Sequence, residues 1–295
     1  MTKKTLVEPT MTERSMTEPS TTSTSRSPKF GWQFFVLSVA SLFFVIPFYV
    51  MVSSAFKTPV AADVTRMWKL PNPVSFGGIA EAWNRLGPNF FNSVKLVVPA
   101  TLISSLIGAF NGFLLSKYRF RFSTTMFTLM LVGMFLPYQV VLIPMIRFLS
   151  AVNLYGTLPG LILVHVVYGI PITTLMFRNY YVSIPKALVE AASVDGAGIL
   201  RTFRSVVLPV SLPGFVVAGI FQFTNIWNDF LFGVVVLTDP RKQPVTVALN
   251  NLSGNQSVDW NVVMAGALIA GLPTALAYIG FGRFYVEGLT AGSVK

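Results

Sequence analysis

The chain has 295 residues, 53% of them hydrophobic and only 11% charged, with a mean hydropathy of +0.64; a soluble domain carries about 25% charged residues, so the composition points to a membrane. With no cysteine and a single histidine, a disulfide framework, a thiolate metal site and a multi-histidine cluster are excluded. The net charge of +11 comes from basic residues at the ends of apolar spans, the pattern of an inner-membrane protein and not of a nucleic-acid binder.

Residues 1–29 are rich in Thr, Ser, Pro and Glu. Such a stretch buries no core, so a disordered cytoplasmic tail is expected. It also lacks the short apolar core and cleavage site of a signal peptide. Residues 30–295 then read as one transmembrane domain, all-α, with six spans. These lie at 31–55, 96–116, 122–146, 151–177, 205–228 and 260–282. The second begins near Phe91, and each is long enough for the roughly 20 residues that a bilayer requires. Pro47, Pro137, Pro144, Pro171, Pro213 and Pro273 fall inside these regions. In a membrane such breaks are tolerated where protein or a wet cavity satisfies the freed backbone groups. Of the 22 basic residues, 14 fall on one set of flanks and 8 on the other, with Lys117, Arg119 and Arg121 crowded into one short loop. The positive-inside rule therefore places both termini in the cytoplasm. The segments 56–90 and 238–259 are then outer loops, the first a cap holding Trp68, Pro71, Pro73 and Trp83.

Between the fourth and fifth spans, 184–214 reads IPKALVEAASVDGAGILRTFRSVVLPVSLPG. It is the most polar stretch in the second half of the chain, and it falls on the cytoplasmic side. A helix is expected over 185–194, with Ser183 as N-cap, Pro185 in the first turn, and Leu188, Ala191 and Ala192 on one face. Asp195-Gly196 stops it, because glycine accepts the left-handed turn that most residues resist. A second short helix starts near Ala197, with Asp195 available as cap, and carries Arg201 and Arg204. This is helix, tight turn, helix at a membrane surface. An interfacial anchor is one reading. Such anchors show bulky apolar residues on one face, whereas Ala191, Ala192, Gly196, Ala197 and Gly198 leave a nearly bare surface suited to close approach by another protein.

Polar residues inside apolar spans are costly to leave facing lipid and so point to a pathway. Here they are Asn111, Gln139, His165, Gln222, Asn225, Asn228 and Asp229. Gln222, Asn225 and Asp229 fall at i, i+3 and i+7, one helix face, with Trp227 and Asn228 beside it. Amides and a carboxylate suit hydroxyls, and an aromatic face suits the C–H surface of a sugar. Hydrogen bonding between helices explains the same residues, and Asp229 also fits a place at the outer interface. Tyr138-Gln139, next to Pro137, is a second candidate for the pathway. His165 is read as a packing histidine in preference to a ligand contact. No G-x-x-x-x-G-K-[ST] loop, G-x-S-x-G elbow or H-E-x-x-H is present, so the chain is expected to be a non-enzymatic pore subunit driven from elsewhere.

Glu190-Ala191-Ala192, Asp195-Gly196-Ala197, Leu208-Pro209 and Pro213 resemble the EAA loop of ABC importer permeases, which in that family is a coupling helix docked into a cleft of the ATPase. Trp227-Asn228-Asp229-Phe230, Pro244-Val245-Thr246-Val247 and Gly288-Leu289-Thr290-Ala291-Gly292 resemble the carbohydrate, MalG-like branch. The resemblance covers nearly the whole chain from Phe30. It implies a MetI/MalG-like permease fold with a cytoplasmic coupling helix, in a bacterial or archaeal inner membrane. It assigns ATPase coupling to Glu190, Ala191, Ala192, Asp195, Gly196 and Ala197. It also implies a second permease subunit, two ATP-binding subunits and an extracytoplasmic sugar-binding protein. No cofactor is expected in this chain itself, since ATP and magnesium belong to the partner ATPase. The outer-loop run Asn255-Gln256-Ser257-Val258-Asp259-Trp260-Asn261 is similar to glucose/mannose-type permeases. Trehalose or maltodextrin import, another small-solute importer and, further off, an ion-coupled secondary transporter are the alternatives.

Overall fold

A computed structural model of the chain describes residues 31–254 and 259–290, and every regular element among the described residues is helical. In order these are α1 Trp32–Ala55, α2 Gly77–Lys117, α3 Ser123–Met134, α4 Tyr138–Ala151, α5 Leu158–Val182 and α6 Lys186–Val194. There follow α7 Ile199–Thr202, a π-helical turn Phe203–Val207, α8 Leu208–Val210, α9 Leu212–Trp227, α10 Leu231–Val236, α11 Val245–Ser253 and α12 Trp260–Thr290. Helix is what hydrocarbon demands, because only there does each segment satisfy its own N–H and C=O groups. The expected tail 1–29, the loop residues 255–258 and Ala291-Gly292 lie outside the described residues.

The chain divides after Ile46 into two units. The first contributes the apolar start of α1, free of charged side chains. The second holds everything from Pro47 onward. Among the described residues, four helices are long and apolar enough to cross a membrane, and two bent pairs bring the number to as many as six if each pair is one span.

The boundaries differ from the expectation in four places. The second span does not begin near Phe91. α2 starts at Gly77 and runs 41 residues, taking up the end of the expected outer loop. The third span is not continuous. It breaks before Pro137, and α3 and α4 meet at 102°. The fifth breaks at Ser211, where the run Ile199–Val210 meets α9 at 80°. The fourth span sits later than 151–177, because Thr157 sets its start: the Thr157 hydroxyl accepts from Gly160 N–H, and Pro159 occupies the first turn.

α2 and α5 form the central pair. A Cβ built on Gly112 would fall 2.7 Å from Arg178 N and 2.8 Å from Phe177 Cβ, and one built on Gly108 would fall closer still to Thr173. Small residues four apart allow this approach, the usual device where lipid offers no hydrophobic drive between helices. Thr173 Oγ1 donates to Ser104 O across the contact at 2.9 Å. Two apolar clusters flank the pair. One joins Leu86, Leu96, Leu161, Ile226, Trp227 and Val236. The other joins Phe113, Phe177, Tyr181, Val189, Phe203 and Val207, and so mounts α6 and the π turn on the ends of α2 and α5.

The expected outer loop 238–259 contains α11 and is tied to α2. Asn89 Nδ2 donates to the carbonyls of Pro240 and Gln243, Asn92 Nδ2 to that of Arg241, and Ser93 Oγ accepts from Val245 N–H. Before α2, the buried Lys57 donates to the carbonyls of Arg66 and Met67. Burial there pulls its pKa below the ordinary lysine value.

Candidate functional site

Two places carry the residues that the sequence singles out: a surface tip at 186–200 and a pocket between α5 and α9.

The tip is built on α6. The stop at Asp195-Gly196 holds: Gly196 has φ +73°, and its N–H donates to Ser193 O while Ala197 N–H reaches back to Ala192 O. This is the Schellman arrangement, in which a left-handed residue just past the helix end lets two last carbonyls find donors. Other details differ from the expectation. Ser183 does not cap α6. It ends α5, donating its hydroxyl to Tyr180 O, and Pro185 takes the N-cap position. Asp195 caps nothing at the next helix, where the N-cap is Gly198. The buried face is Val189 and Ala192, with Leu188 and Ala191 turned outward. Glu190, Asp195 and Gly196 are exposed, and Ala197 is half-buried. Among the described residues, apart from the adjacent ones in sequence, nothing lies within 4 Å of a Cβ built on Gly196 or Gly198. The surface is not bare, however: Val194 is 88% and Leu200 68% exposed on either side of the turn. A rigid tip with a gap between two apolar knobs is a shape for contact with another surface.

Below the tip, the Tyr181 and Ser211 hydroxyls hydrogen-bond at 2.9 Å and Tyr180 donates to Val210 O at 2.8 Å. These bonds fasten α5 to the bend that opens α9. The π turn at Phe203–Val207 sits in this junction, and such turns recur at functional sites.

The pocket holds about 190 Å³ and is lined by His165, Tyr168, Gly169, Ile172, Gln222, Asn225, Ile226, Asp229 and Phe232. The face Gln222, Asn225, Asp229 expected from the sequence therefore does border one cavity. Its members differ in freedom. Gln222 is buried and donates from Nε2 to Ser104 Oγ at 3.1 Å, packed against Gly169, where any side chain would collide with it. Asn225 is more open and donates to Phe221 O. Asp229 accepts from the backbone N–H groups of Phe232 and Gly233 and stands 3.5 Å from His165 Nε2.

Other expected members fall elsewhere. Trp227 does not face the pocket. It is 2% exposed, its indole N–H donates to Ala270 O, and its ring stacks on Phe223, so the geometry makes it a core residue. Asn228 is exposed and donates to Thr224 O. Gln139 is exposed on α4, while Tyr138 reaches the rim by ring contact with Phe232 at 5.7 Å. His165, read as a packing histidine in preference to a ligand contact, lines the cavity. Its neighbour Asp229 is 64 positions on, a separation at which no local pattern signals the pair. Pockets that enclose a small ligand hold about 300–1,000 Å³, so this one is smaller than a pocket that encloses a ligand by itself.

The family model for a binding-protein-dependent transport system inner membrane component matches residues 96–286. The chain is 50% identical over 185 residues to a probable ABC transporter permease of Pyrococcus horikoshii, covering 62% of this chain and 67% of that one. It is 35% identical over 272 residues to the xylose/arabinose import permease protein XacI of Haloferax volcanii, covering 84% and 87%. A solved bacterial ABC transporter involved in the import of the acidic polysaccharide alginate superposes with a TM-score of 0.74, covering 86% of this chain and 95% of that one. At 19% identity that likeness speaks for the fold.

Proposed function

The chain belongs to the family of binding-protein-dependent transport system inner membrane components, and on that premise we propose that it forms half of the translocation pathway of an ATP-driven importer for a small neutral sugar. That it is a membrane permease subunit of an ABC importer follows from the family. The proposal concerns how this chain does it and for what. Six spans cross the inner membrane, each bent pair counting as one, with both termini in the cytoplasm. The tip 186–200 docks into a cytoplasmic ATP-binding subunit through Glu190, Ala191, Ala192, Asp195, Gly196 and Ala197. A second permease chain completes the half-site pocket, two ATP-binding subunits carry the ATP and magnesium, and an extracytoplasmic protein delivers the sugar. This chain performs no catalysis.

The observation that carries the reading is the tip. A Schellman turn at Gly196, open on its outer side and flanked by exposed Val194 and Leu200, stands where the EAA residues fall. The hydrophobic cluster beneath it runs from α6 into α2 and α5, so motion at the tip has a packed route toward the pocket. A hexose such as glucose or mannose is the first candidate for the sugar. The xylose/arabinose relative supports a monosaccharide of that size, and trehalose or maltodextrin is the alternative.

The test is uptake by the complex, reconstituted in vesicles with its binding protein, of labelled D-glucose, D-mannose, D-xylose, trehalose and maltotriose. Uptake of at least one that needs internal ATP is expected. Uptake driven by a proton or sodium gradient without ATP would replace this reading with a secondary transporter.

A further inference from the structure

His165 lines the pocket, and one of its ring nitrogens makes no hydrogen bond among the described residues. The residue is 6% exposed, and Nε2 is buried without a hydrogen-bond partner among the described residues. An orphaned buried polar atom is costly, so such atoms are normally met by water or by ligand. What faces it is the Asp229 carboxylate, 3.5 Å from Nε2. That carboxylate is itself held in place by the N–H groups of Phe232 and Gly233. The Phe232 ring meets the imidazole edge-on at 5.7 Å and fixes its plane. An Nε2 lone pair turned toward a carboxylate would be repelled, so Nε2 carries the hydrogen. The pocket thus presents a donor and a charged acceptor side by side, too far apart to satisfy each other well.

This pairing selects by chemistry. A hydroxyl accepts from Nε2–H through oxygen and donates its own hydrogen to Asp229. An ammonium can pair with Asp229 but has no lone pair to accept from Nε2–H, so it leaves that donor unmet. A carboxylate only accepts and is repelled by Asp229. An apolar group satisfies neither. The rings of Tyr168 and Phe232, with centroids 4.9 Å apart, supply a flat wall for C–H surface next to it.

We propose that His165 and Asp229 form a specificity-determining pair that reads one hydroxyl of the transported solute and admits neutral polyhydroxylated molecules. The pair deepens, and rests on, the reading of the chain as a sugar permease. Gln222, spent on Ser104, is the wall of this site and not its reader.

The experiment uses the reconstituted complex with saturating binding protein and, in turn, labelled D-glucose and D-xylose. It compares wild type with His165→Phe, His165→Met and His165→Gln, reading both sugar uptake and binding-protein-stimulated ATP hydrolysis. Phe and Met remove the donor, and uptake per ATP hydrolysed should fall about tenfold for both, with hydrolysis maintained. Gln places an amide N–H near the Nε2 position and should stay within about threefold of wild type. Wild-type uptake per ATP in His165→Phe overturns the proposal. So does a parallel loss of uptake and hydrolysis in all three variants, the mark of a structural role. If His165→Phe fails to assemble, His165→Met is read alone, and failure of both while His165→Gln assembles assigns the residue to packing and equally overturns it. A wild-type complex that moves neither of these two sugars nor D-mannose, trehalose or maltotriose removes the underlying sugar reading, and this proposal with it.

Discussion

Asn225 and Trp227 are two positions apart on α9 and point to different fates. Asn225 borders the pocket, while Trp227 is packed between Phe90 and Phe223 with its N–H on Ala270 O. Asn225→Ala should lower uptake about 2- to 10-fold, the value of one hydrogen bond of about 0.5–1.5 kcal/mol, with normal assembly. Trp227→Ala should instead cost about 3–5 kcal/mol of stability and reduce the amount of complex recovered. Uptake and yield measured on both variants separate the two faces, and equal behaviour would contradict the assignment. The polar face Gln222, Asn225, Asp229 was legible because amides and a carboxylate stand out in an apolar run. The direction of Trp227 was not, since an indole serves a sugar or a core equally well, and here a carbonyl 43 residues away on α12 decides. The role proposed for His165 was hidden for the same reason: Asp229, which faces it, is distant in sequence.

The elements were readable as apolar runs, and their ends were not. Hydropathy stops near Phe91 because Arg85, Asn89, Asn92 and Ser93 follow no apolar stripe, yet α2 continues back to Gly77 since the loop at 240–245 answers its amides and hydroxyl. Prolines marked the breaks in the third and fifth spans, but a proline fixes only local φ, and the bends of 102° and 80° depend on what packs beside them. The α6 turn was legible in full, because a glycine past a helix end has one dominant local meaning. At this scale the α2–α5 pairing makes the firmest prediction. Gly112→Leu would force side-chain carbons onto the Phe177–Arg178 backbone. Overpacking of this kind costs about 1–3 kcal/mol even where neighbours yield, and backbone yields less. The thermal midpoint of the purified complex should fall by several degrees; an unchanged midpoint would show that the helices are free to separate.

For the whole molecule, pocket and tip are two ends of one proposed device. In that proposal, movement of the bend at Ser211 or of the α5 end alters the pocket between α5 and α9, since Ser211 hydrogen-bonds Tyr181 and Tyr181 packs in the cluster that carries α6. ATP-driven closure of a partner at the tip would therefore reach the pocket through packed side chains. The most direct measurement is retention of the ATP-binding subunits when the chain is purified, for wild type and for Gly196→Trp. At φ +73° the substitution strains the turn by about 1–2 kcal/mol, and its Cβ, with no non-adjacent described residue within 4 Å, would start the indole toward the space proposed for the partner. Wild type should hold the ATP-binding subunits and hydrolyse ATP in response to sugar-loaded binding protein. Gly196→Trp should insert in the membrane at wild-type levels, yet lose those subunits and transport. Full retention with normal sugar uptake in Gly196→Trp would contradict the coupling role of the tip.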